Sequence, residues 1–213
     1  MKKITFILVI TLLSGFGMTA KATDRVCPDG AELNKFLMSA TTAYTYNSVT
    51  YSTANANAVQ DGDVVILNGA YNWSALINGL PISVTVKADP SLTVRPVITY
   101  TFTGTASYFI KPSISSTNTK VITFDGVDII GTSTISATGF LNSAPTAGGS
   151  NTKLVLNNCV LRRFAVAAFI STYAANTAGA VAFGDIIITN SRIIGFGYLN
   201  NGAAVGSSLQ ILF

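Results

Sequence analysis

Short apolar strands alternate with small polar turns along most of this chain. Three segments align without gaps: Ile122-Thr123-Phe124-Asp125-Gly126-Val127-Asp128-Ile129-Ile130, Leu154-Val155-Leu156-Asn157-Asn158-Cys159-Val160-Leu161-Arg162 and Ile186-Ile187-Ile188-Thr189-Asn190-Ser191-Arg192-Ile193-Ile194. Each holds one strand, a two-residue polar turn and a second alternating strand. Phe124, Leu156 and Ile188 recur at a period of about 32 residues, the signature of a stacked repeat rather than of a helix. A third strand follows in Gly139-Phe140-Leu141-Asn142, Ala168-Phe169-Ile170-Ser171 and Gly197-Tyr198-Leu199-Asn200, and Tyr108-Phe109-Ile110-Lys111 extends it backwards. This register predicts an aromatic column of Phe109, Phe140, Phe169 and Tyr198. Less regular strands open at Val64 and Val84.

These elements predict an all-β chain folded as a right-handed parallel β-helix, a solenoid of three-strand coils with an N-terminal capping helix. Asn158 and Asn190 share a turn column with Gly126, where left-handed backbone suits Asn and its amide can bond the neighbouring turn. Asp29 followed by Glu32 has capping-box spacing, and Leu33, Phe36, Leu37 and Ala40 share a helical face. A helix over 29–40 is therefore expected to cover the open end of the stack. Leu209-Gln210-Ile211-Leu212-Phe213 resembles the first strand of a further coil without its turn, so further coils are expected beyond it.

Residues 1–22 carry export features: Lys2 and Lys3, an apolar run over 4–13, and Ala20-Lys21-Ala22 as a small-x-small cleavage site. The run falls short of the roughly 20 residues a membrane span needs. The expected organisation is a signal peptide at 1–22, a cap and linker at 23–58 and coils over 59–213. No membrane span is expected after signal removal, and the mature protein is expected in the periplasm, on the cell surface or secreted.

The formal charge of +4 includes Lys2, Lys3 and Lys21, and cleavage leaves about +1. With that, the basic balance that would suit a nucleic-acid partner disappears. Charged residues make up only 10% of the chain, against about a quarter in ordinary domains. Regular Val, Ile, Leu and Phe clusters nonetheless argue against disorder. Cys27 and Cys159 could pair in an exported protein, but Cys159 falls on the coil interior, where a buried free thiol is expected.

If Ile129, Leu161 and Ile193 point inward, strand alternation turns Asp128, Arg162 and Arg192 outward onto one face. An acidic sugar could bridge such a face, with bidentate contacts from Arg; solvated surface charge is the plainer alternative. Asp61 and Asp63 flank Gly62 and suit a turn, being too few for calcium. Tyr71 and Trp73 could stack on a sugar or pack at the coil edge.

Val59-Gln60-Asp61-Gly62-Asp63-Val64-Val65-Ile66-Leu67-Asn68-Gly69-Ala70-Tyr71, then Val84-Thr85-Val86-Lys87-Ala88 and Arg95-Pro96-Val97-Ile98, resemble the opening coils of the pectin-lyase-like right-handed parallel β-helix superfamily. The likeness covers about residues 29–213 and is nearest to chondroitinase-B-like and alginate-lyase-like members, of which this chain matches the N-terminal part. It implies a polysaccharide partner, commonly acidic, and lyase or hydrolase chemistry; a non-catalytic glycan-binding or adhesive solenoid is the alternative. Family sites do not carry over. The chain has no His, which the Gly-His-Gly motif of polygalacturonase-like hydrolases requires. Its acids are too scattered for the calcium cluster of pectate-lyase-like enzymes, and the Lys and Arg of chondroitinase-B-like enzymes come from later coils. No catalytic residue, metal site or cofactor is therefore assigned, calcium being left to a complete homologue.

Overall fold

A computed structural model of the chain describes residues 22–101, 107–111, 119–131, 138–143, 152–164, 170–172, 185–196 and 209–212. The structure is mostly β, built from parallel sheets with little helix. The expected signal segment, apart from Ala22, lies outside the described residues, as do Phe169 and Tyr198 of the expected aromatic column.

The first sheet contains β1 (Asp24–Val26), β4 (Val64–Leu67), β7 (Val84–Ala88), β10 (Val121–Asp125), β13 (Lys153–Asn157) and β16 (Asp185–Thr189), in that order. The second runs β5 (Ala70–Trp73), β8 (Val97–Tyr100), β11 (Asp128–Ile130), β14 (Val160–Arg162), β17 (Arg192–Phe196) and β18 (Leu209–Leu212). The third holds β6 (Ile77–Asn78), β9 (Ser107–Lys111), β12 (Thr138–Ser143) and β15 (Ile170–Thr172). From β4 to β17 the chain visits the three sheets in rotation, and every pairing among those strands is parallel.

The repeat fixes the register. Phe124 pairs with Leu156 and Leu156 with Ile188. Alternation sends Ile122, Phe124, Leu154 and Leu156 into the core and leaves Thr123 and Val155 half-exposed. Phe109 stacks on Phe140 with centroids 5.3 Å apart, as the aromatic column predicts. Trp73 joins from the second sheet, stacked on Phe109 at 3.8 Å, and its indole N–H donates to the Phe109 carbonyl. Trp73 and Tyr71 are buried, so both are packing residues and not a sugar platform. Cys27 and Cys159 are both free and buried.

Gly126, Asn158 and Asn190 all adopt positive φ (72°, 52° and 51°), as their shared column predicts. The side-chain ladder, however, is carried one residue earlier. Asn157 Nδ2 donates to Asp125 Oδ1 at 2.8 Å, and Asn157 Oδ1 accepts from Thr189 Oγ1 and Asn190 Nδ2. Asn157 ends a strand, so its side chain stands directly between its register partners Asp125 and Thr189.

Two expectations need correction. The helix, α1, spans only Leu33–Leu37, with Glu32 at its N-cap and no side-chain cap. It still buries Leu33, Phe36 and Leu37, but Asp29 is engaged elsewhere, accepting from the Ala70 amide at 2.7 Å. The segment expected as cap and linker also contributes β1 and an antiparallel hairpin of β2 (Tyr44–Tyr46) and β3 (Val49–Tyr51). At the other end, β18 does not open a coil in the first sheet. It runs antiparallel against β17, with Ile211 opposite Ile193. Period-two alternation carries no strand direction, so the sequence pattern fits either arrangement.

Candidate functional site

Between β7 and β8, residues 89–96 leave the sheets as a loop. Asp89 shapes its start: Oδ1 accepts from the Ser91 amide at 2.9 Å and the Ser91 hydroxyl at 2.7 Å, the turn that an Asp favours locally. Those two donors hold the Asp89 carboxyl below the usual carboxylate range. The loop rejoins the stack at buried Pro96, whose carbonyl accepts from the Asp128 amide.

The loop walls a cleft of about 360 Å³ over the turn column, with Lys87, Asp89, Arg95, Asp125 and Asn158 as its main polar lining. Register puts Lys87 beside Asp125. Arg95 crosses the cleft and donates through Nη2 to Asn158 Oδ1 at 2.5 Å. Asp125 is already engaged by Asn157. Lys87 forms no ion pair among the described residues. Leu92 and Val94 form an apolar lip, 37% and 76% exposed. The cleft thus offers two cations, amide and carboxylate acceptors, and an apolar edge.

Asp128, Arg162 and Arg192 lie where the repeat predicts. Ile129, Leu161 and Ile193 are buried, and Asp128, Val160 and Arg192 share one column. Two of its three members satisfy each other: Arg162 meets Asp128 in a fork, Nε to Oδ1 at 3.2 Å and Nη2 to Oδ2 at 2.7 Å. Arg162 is 42% exposed and Asp128 16%, so a ligand carboxylate would compete with an existing bidentate partner. Arg192 is exposed and forms no ion pair among the described residues.

Asp61 and Asp63 are turn residues, as expected. Asp61 Oδ1 accepts from the Ser83 amide and from Lys120, and Asp63 is buried among four donors. Among the described residues no group of three or more His, Cys, Asp or Glu side chains is placed to hold a metal ion. No described helix is long and apolar enough to cross a membrane.

Sequence reading missed the cleft. Its loop was visible as Asp89-Pro90-Ser91 between two strands, but the approach of Arg95 to Asn158, 63 residues on, has no local signal. Comparison with family models, curated proteins and solved structures gave no match.

Proposed function

We propose that the protein is an exported right-handed parallel β-helix that binds an acidic polysaccharide through the cleft beneath residues 89–96. The rotation of the chain through three parallel sheets supports the β-helix, since parallel crossovers are right-handed in about 98% of cases. The features at 1–22 support export. One observation carries the ligand class: Lys87 and Arg95 stand beside the exposed apolar lip of Leu92 and Val94. A uronic-acid sugar presents a carboxylate and an apolar ring face together, and Arg offers a planar fork to the carboxylate. Binding without turnover is favoured over the lyase reading because, on the arginine-carboxylate face expected from the repeat, Asp128 and Arg162 already hold each other and only Arg192 stays open.

Titration calorimetry against polygalacturonate, alginate and chondroitin sulfate, with a neutral glucan as control, tests this. Acidic polymers should bind and weaken with salt, and Arg95→Ala should weaken them by about tenfold, the loss of one charged hydrogen bond. Equal binding of the neutral glucan would defeat the acidic-ligand proposal. Appearance of unsaturated sugar ends by ultraviolet absorbance would restore the lyase reading.

A further inference from the structure

Asp63 is 1% exposed and lies at the turn before β4. Its carboxylate gathers donors from the segment just after the expected cleavage site. Oδ1 accepts from the Thr23 amide nitrogen at 2.9 Å and from Thr23 Oγ1 at 3.0 Å. Oδ2 accepts from the Gln60 amide at 2.8 Å and from Arg25 Nε. The Thr23 carbonyl in turn accepts from the Val64 amide, so Thr23 leads straight into the β1–β4 pairing.

Thr23 directly follows Ala20-Lys21-Ala22. We infer that cleavage after Ala22 makes Thr23 the first residue, and that buried Asp63 is a built receptor for the new α-ammonium. Water adds across the Ala22–Thr23 peptide bond. Its hydroxyl goes to the Ala22 carbonyl carbon, which leaves as a carboxylate with the leader. The freed Thr23 nitrogen takes the water's other proton and the one the new carboxyl group sheds, becomes an ammonium, and keeps its place against Asp63 Oδ1. A bond from a neutral amide to the carboxylate thereby becomes an ammonium–carboxylate ion pair, with charge on both partners. The leader's removal then does more than release the protein: it adds a second cation to a carboxylate already met by Arg25, and clamps the first strand of the first sheet.

The charges around this nitrogen are few. Arg25 shares Asp63 and opposes the ammonium. Asp24 lies between Thr23 and Arg25 in sequence, so alternation turns it to the other face of β1. Asp61, beyond Gly62, is held by Lys120 and the Ser83 amide. Asp63 is thus the one carboxylate seen in contact with the Thr23 nitrogen among the described residues.

The inference rests on the export part of the preceding proposal and not on glycan binding, and two measurements separate these. N-terminal sequencing of exported protein should begin at Thr23; any other first residue overturns the processing. For the capture, two purified chains are compared, one beginning at Thr23 and one retaining Ala22. Acylation of the α-amine by a succinimidyl ester at pH 7, followed by mass spectrometry, should be about tenfold slower at Thr23, equivalent to a one-unit rise of the amine's pKa. Asp63→Asn in the Thr23 chain should abolish that protection. Should that variant fail to fold, the Ala22-retaining chain keeps Asp63 intact and still decides. Equal acylation rates in the two chains overturn the capture.

Discussion

Trp73 closes the second sheet onto the third by two contacts with one residue: its ring stacks on Phe109 at 3.8 Å and 16°, and its indole N–H donates to the Phe109 carbonyl at 3.1 Å. Phe124 of the first sheet lies 6.3 Å from the same indole, so side chains of all three sheets meet there. Trp73→Ala removes a large buried side chain and the indole donor to the Phe109 carbonyl. We expect a loss of about 3–5 kcal/mol, with Trp73→Phe costing less because the ring is kept. Urea unfolding followed by circular dichroism measures both; a Trp73→Ala loss under about 1 kcal/mol would contradict this packing.

That meeting point marks the limit of what the chain discloses by itself. The period predicts Phe124 over Leu156 over Ile188, because residues in one column of one sheet repeat at a fixed interval. It likewise predicts Phe109 on Phe140. Trp73 and Phe109 belong to different sheets, and a contact across sheets leaves no interval to read. Asp29 shows a second limit. Its spacing to Glu32 fits a capping box, but the Ala70 amide, far along the chain, takes its carboxylate instead. The candidate face was legible in position and not in chemistry: register aligned Asp128, Arg162 and Arg192, while the fork that pairs Arg162 with Asp128 depends on rotamers.

The two thiols report on burial. Burial pushes the Cys159 thiol up to about 11, and its S–H reaches the Phe124 and Asn157 carbonyls. Burial also raises Cys27 far above the ordinary thiol range. A thiolate is the reacting species, so native protein should leave Ellman's reagent nearly unreacted at pH 8. Denaturation without reductant should release two thiols, as two free cysteines require. Release of none would establish a disulfide.

Asp63 gives the stability a defined acid limb. Burial by itself would raise its carboxyl, but the Arg25 guanidinium and the Gln60 and Thr23 donors outweigh that and hold it below the usual range. Asp61 is lowered too, chiefly by the Ser83 amide. The folded state therefore binds fewer protons than the unfolded chain in acid. Stability is fully present above the unfolded value near 3.9 and is lost as pH falls through the depressed folded values. Thermal melts should hold level from pH 7 to about 5 and fall below about 4. Asp63→Asn strands Arg25 and should cost about 3–5 kcal/mol at pH 7, with a flatter acid limb. An unchanged limb would mean that Asp63 is not the titrating group.

The turn column separates backbone strain from side-chain contact. Asn158 sits at φ 52°, where a residue with a Cβ pays about 1–2 kcal/mol unless, like Asn, it tolerates left-handed geometry. Its Oδ1 also accepts from Arg95 in the open cleft. Asn158→Gly keeps the backbone and removes only that acceptor, so it should lose about 0.5–1.5 kcal/mol. Asn158→Ala loses the same acceptor and adds strain, and should fall about 1 kcal/mol below the Gly variant. Gly126 shares the geometry at φ 72°, but a Cβ there would come 3.2 Å from the Ala88 Cβ. Gly126→Asn should therefore destabilise although Asn suits the backbone. Paired urea titrations of the three variants test this ordering. If Asn158→Ala equals Asn158→Gly, the turn is not strained and the Arg95 contact accounts for the whole effect.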